Sequence, residues 1–168
     1  MTPRPADPRR LARLALLTAV ALTIFLIEVQ LPVLPIPGAK LGLANIVTVY
    51  AVMALGPGDA LLILLSRVFL GAVFSGQMSA FFYSLGGGLL CWAAMCGLKG
   101  IFTPKQIWLL SPISAMFHNV GQLLVAAGML KSWVVFAWLP YLLLAGAAAG
   151  LFTGLAAQFL LERLNRIK

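Results

Sequence analysis

Acidic side chains are the scarcest feature of this chain: Asp7, Glu28, Asp59 and Glu162 are the only four in 168 residues. No two of them lie close enough in sequence to form an aspartate-rich motif for a Mg²⁺-bound diphosphate, and no P-loop or nucleotide-binding cassette is present. Charge of either sign is short as well. The 12 basic and 4 acidic residues make 10% of the chain, where a soluble domain of this length carries roughly 40 charged residues. Soluble enzymes, nucleic-acid modules and disordered tails are thereby excluded. There is one histidine, His118, and there are two cysteines, Cys91 and Cys96. Five residues apart in an apolar run, the cysteines suit neither a disulfide nor a metal site, and a lone histidine is a poor metal centre. No metal and no cofactor is expected. A Ser/His/acid triad is formally possible with His118, but the chain has no nucleophile elbow, so it is not expected to be an enzyme.

Apolar residues fill the rest. They make up 62% of the chain, and the mean hydropathy is +1.02. A membrane-crossing helix needs about 20 apolar residues, and six runs suggest themselves: 11–31, 41–56, 59–74, 79–98, 106–130 and 133–161. The expected fold is all-α, a single polytopic membrane domain over 1–168 in a lipid bilayer. Pro32, Pro35 and Pro37 forbid helix between the first two runs. Gly56-Pro57-Gly58-Asp59 reads as a tight turn, with Asp59 an N-cap for the third helix. The second and third runs hold 16 residues each and are expected to extend into their neighbours. The first run exceeds a signal-peptide core and lacks an A-x-A site, so it reads as a retained helix.

The net charge of +8 does not indicate a nucleic-acid partner, because the basic residues flank the runs. With both termini cytoplasmic, Arg4, Arg9, Arg10, Arg13, Lys99, Lys105, Arg163, Arg166 and Lys168 fall inside, against Lys40 and Lys131 outside. Nine against two follows the positive-inside rule and assigns a multi-pass protein of the cell membrane.

The informative residues are polar ones at membrane depth, where a charge costs about 2.5–3.5 kcal/mol or more and usually faces a cavity or partner. Arg67 lies within the third run. It pairs with Glu28 or contacts an anionic ligand, and the sequence leaves both open. His118, Asn119 and Gln122 crowd one helical face by their i, i+3 and i, i+4 spacing, as interhelical hydrogen bonds or as ligand contacts. Asn45, Ser84 and Lys40 complete a set that reads as a polar pocket opening outward, with Lys40 and Arg67 favouring an anion. Small residues mark close packing: Gly146, Gly150 and Gly154 form one stripe, Gly86, Gly87 and Gly88 sit together, and Ala15 and Ala19 share a face with Ala12 adjoining. Internal packing is the plain reading of each.

Five segments occur in order: Pro37-Gly-Ala-Lys-Leu-Gly-Leu-Ala-Asn45, Arg67-Val-Phe-Leu-Gly71 with Ser75-Gly76, Ser84-Leu-Gly-Gly87, His118-Asn-Val-Gly-Gln122, and Leu139-Pro140 with Gly150-x-x-x-Gly154. Together they resemble the Gx transporter family, often labelled heptaprenyl diphosphate synthase component I, over about residues 11–160. That family resembles the six-helix substrate-binding S components of energy-coupling factor (ECF) transporters. The resemblance implies capture of a small molecule from outside, a transmembrane coupling protein and a pair of ATPases as partners, and docking of the coupling protein on Ala15 and Ala19. The synthase label implies instead a non-catalytic accessory role in polyprenyl diphosphate (quinone side-chain) synthesis.

Overall fold

A computed structural model describes residues 7–30, 42–76 and 78–165. Among them the chain is all-α, with no strand. The helices are α1 (Pro8–Gln30), α2 (Asn45–Ala54), α3 (Pro57–Ser75), α4 (Met78–Leu98), α5 (Ile107–Leu130) and α6 (Leu139–Asn165). Short 3₁₀ turns, Pro104–Gln106 and Trp133–Trp138, lead into α5 and α6. Five of the six helices are long and apolar enough to cross a membrane.

The exception is α2. Its 10 residues reach about 15 Å, half the thickness of the hydrocarbon core. The apolar run 41–56 overstates it at both ends for local reasons. Gly42 adopts φ +72, a left-handed turn that an L side chain resists, so the helix cannot begin before it. At the far end Gly56, at φ 105 and ψ 170, breaks the chain ahead of Pro57. That proline starts α3, where its missing N–H costs nothing. Asp59 therefore falls inside the first turn and caps nothing. It pairs instead with Arg10 of α1, Arg10 Nε donating to Oδ1 at 3.0 Å. The sixth run divides similarly: Trp133–Trp138 is 3₁₀, and the α-helix starts at Leu139 with Pro140 in its first turn.

Four contacts orient the helices. Arg10 meets Asp59, and Trp92 Nε1 donates to the Pro57 carbonyl at 3.0 Å. Lys99 Nζ donates at 2.7 Å to the Val52 carbonyl in the last turn of α2, where a cation suits the helix dipole. Gly154 packs on Ile107 and Trp108 at the start of α5. The first ends of α1, α3 and α5 and the last ends of α2, α4 and α6 thus share one face of the bundle.

Glycines set the closest approaches. A Cβ on Gly121 would lie 2.6 Å from the Gly86 carbonyl oxygen, so α4 and α5 touch backbone to backbone. Gly146, Gly150 and Gly154 lie against Asn119, Pro112 and Ser111 of α5, which makes the α6 stripe an internal seam. Pro112 has no N–H to complete its helix, and Gly150 fits directly on it. Large apolar side chains point outward, among them Leu144 at 73% and Phe74 at 66% exposure, as lipid contact requires.

Candidate functional site

Arg67 is buried to 5% exposure in the middle of α3. Its place follows from two neighbours on α1. One turn further along α3, Gly71 admits the Phe25 ring, to which a Cβ would come within 2.8 Å. Because α1 and α3 run parallel, that contact sets Arg67 level with Ala21, itself 1% exposed. Nε of Arg67 is buried with no hydrogen-bond partner among the described residues. A buried donor left without a partner is costly, so this atom is an informative one.

Glu28 is also buried, at 8% exposure, and acts on Arg67 electrostatically. The two do not form an ion pair: among the described residues the only one is Arg10–Asp59. Glu28 Oε1 instead accepts from the Gly42 N–H at 2.5 Å, tying the end of α1 to the turn before α2. Asn45 follows that turn, its backbone N–H donating to the Gly42 carbonyl at 2.9 Å and its side-chain amide close against Gly42.

Helix geometry gathers several polar residues at the depth of Arg67. The turn between α2 and α3 is centred on Leu55 and Gly56, so residues equally distant from it lie at similar depth. Asn45 is then level with Arg67 to within about a turn, 5.4 Å. Leu64 of α3 fills the space over Gly88 of α4, and since these helices are antiparallel, Ser84 falls level with Val68. Gly87 packs on the Gln122 side chain and on His118, whose Cε1 would lie 3.0 Å from a Cβ there. Asn45, Arg67, Ser84, His118 and Gln122 are all buried and form one polar layer drawn from α2, α3, α4 and α5.

Asn119 faces elsewhere. Its amide donates at 2.5 Å to the Leu142 carbonyl of α6, so His118 and Gln122 look toward α4 while Asn119 clamps α5 to α6. Ser111 and Thr153 reinforce the same seam at 3.1 Å. Lys40 lies outside the described residues. Ala15 and Ala19 are exposed on α1 with Ala12, so no other described helix covers them. One residue escaped sequence reasoning: Thr48, 1% exposed, whose Oγ1 has no partner among the described residues. Its signal was the i, i+3 spacing from Asn45, which puts both on one side of α2.

The layer offers a fixed cation, amide and hydroxyl groups and an imidazole, set within an apolar shell. This chemistry suits hydrogen bonding to a compact polar molecule. Among the described residues no three His, Cys, Asp or Glu side chains gather as metal ligands. Fold and site together define a helical membrane protein with a polar layer buried among its helices. The chain belongs to the heptaprenyl diphosphate synthase component I family, which matches residues 17–160. No curated protein and no solved structure shows significant similarity to it.

Proposed function

We propose that this chain is the membrane-embedded substrate-binding subunit of an uptake transporter of the ECF type, comparable to an S component. It takes a small anionic molecule from outside and works with a transmembrane coupling protein and two ATPases. Both termini are cytoplasmic, so the end of the bundle nearer Glu28 and Asn45 faces outward. The observation that carries the reading is the buried Arg67, its Nε without a partner among the described residues, level with Asn45, Ser84 and Gln122. A guanidinium offers planar, paired donors matched to carboxylate or phosphate. In a membrane such a group marks a substrate path more often than a structural device. His118, Gln122 and Ser84 supply hydrogen bonds around the anion, and Lys40 adds a second cation. Asn119, its amide engaged by the Leu142 carbonyl, holds α5 to α6 and is not counted among the anion's contacts.

Mass spectrometry of small molecules released from the detergent-purified protein tests this directly. An anion retained by the native chain and lost from Arg67→Met is the expected result. Equal content in both proteins overturns the reading.

The family's description favours a second reading, a non-catalytic membrane subunit beside a polyprenyl diphosphate synthase. The same cation then meets a lipid diphosphate. Co-purification separates the two: a coupling protein with ATPases supports transport, and a soluble prenyl-chain enzyme supports the accessory role.

A further inference from the structure

We infer that the molecule held in this layer is a zwitterion, its anionic end on Arg67 and its cationic end on Glu28; the inference rests on the ligand-binding reading above. Two buried groups of opposite charge normally collapse onto one another, because each unpaired ion in a low-dielectric interior is costly. Here they do not. Glu28 and Arg67 are 8% and 5% exposed and still form no ion pair among the described residues.

What holds them apart is built into the backbone. The Phe25–Gly71 contact makes Glu28 level with about residue 74 of α3, seven residues beyond Arg67. At 1.5 Å per residue their Cα levels differ by about 10 Å. The carboxylate is anchored by the Gly42 N–H, a bond that moving onto the guanidinium would strain. Of its two oxygens only Oε1 is engaged among the described residues. On Arg67 it is Nε that has no partner among the described residues. An acid and a base held apart, with a donor on one and an oxygen on the other unengaged among the described residues, complement a molecule that carries both charges a few bonds apart. A simple anion would satisfy Arg67 and add its repulsion to Glu28.

The test uses the full chain in detergent and a ladder of ω-amino acids, from glycine through β-alanine and 4-aminobutyrate to 6-aminohexanoate. Each is paired with its N-acetyl form, which keeps only the anion, and with the n-alkylamine of equal length, which keeps only the cation. Thermal stabilisation and calorimetric titration read the binding. At least one amino acid is expected to bind about tenfold or more tightly than both single-charge controls, the usual scale of a charge-assisted contact. Glu28→Gln keeps an acceptor for the Gly42 N–H and should erase the preference over the N-acetyl form. If N-acetyl forms bind native protein as tightly as their parents and Glu28→Gln changes neither, the zwitterion is wrong while the anion site stands. If no compound in any set binds, both fail. A Glu28→Gln protein that is destabilised, and rescued by adding Arg67→Met, makes the two a structural pair and overturns the proposal.

Discussion

Asn119 and Leu142 are joined across α5 and α6 by a side-chain amide donating to a backbone carbonyl. The bond separates Asn119 from His118 and Gln122, its neighbours in sequence and in polarity. Asn119→Ala should therefore act on the fold, lowering stability by about 1–3 kcal/mol as a buried bond is lost, with ligand affinity little changed. Gln122→Ala should do the reverse. Thermal unfolding beside ligand titration distinguishes them, and equal effects on affinity would contradict the division.

The glycines make a prediction with opposite signs. A Cβ on Gly150 would lie 2.6 Å from the Pro112 Cα and 2.9 Å from the Ala115 Cβ, a backbone that no rotamer change can move. Gly150→Ala should cost about 1–3 kcal/mol, as overpacking does. Gly97, near the end of α4, meets nothing within 4 Å. Gly97→Ala should stabilise by up to about 1 kcal/mol through helix propensity. Melting temperatures of the two variants check both signs.

Arg67→Lys keeps the charge and loses the planar fork. Ligand binding should weaken by about 1–3 kcal/mol, and Arg67→Met should weaken it further, with the helices still assembled. Affinity measured beside melting temperature decides whether the loss is local. Unchanged affinity in Arg67→Met would remove this residue from the site.

Ala15 and Ala19 are exposed, so replacing both by leucine should leave the isolated chain folded and its ligand bound. Under the proposed function the double variant no longer co-purifies with a coupling protein. Retention of the partner would show that docking lies elsewhere.

Reporter fusions address the orientation. Fusions after Gly76 and after Lys131 should report the outside, and one after Lys99 the cytoplasm. A cytoplasmic signal after Lys131 would reverse the proposed direction of access.

Hydropathy alone located α4 and α5 to within a residue or two, because an uninterrupted apolar run bounded by polar turns has one solution in lipid. It lengthened α2, since Leu41, Leu43 and Ala44 are as apolar as the helix that follows, and a backbone turn at Gly42 leaves no mark on a hydropathy count. Asp59 looked like a cap because its nearest neighbours were considered, and its partner Arg10 is 49 residues away. The polar members of the layer could be recognised one at a time as groups out of place in hydrocarbon. Their division could not. Successive helix residues differ by about 100°, so Asn119 was bound to diverge from His118, but which helix waits on each side is a tertiary fact. The same holds for Glu28 and Arg67, whose separation depends on how Phe25 seats on Gly71.

The glycine seams also distribute stiffness. Gly86, Gly87 and Gly121 lock α4 to α5, and Gly146, Gly150 and Gly154 lock α5 to α6. Sliding these helices apart would open voids along surfaces that have no side chains to swing in and refill them. α1 meets its neighbours through side chains instead: a ring lying on Gly71, a surface ion pair at Arg10, a carboxylate at Gly42, and Ala21 with Leu14, Leu17 and Ile24 in the apolar core. The polar layer takes Ser84, His118 and Gln122 from the glycine-seamed helices and Asn45 and Arg67 from outside them.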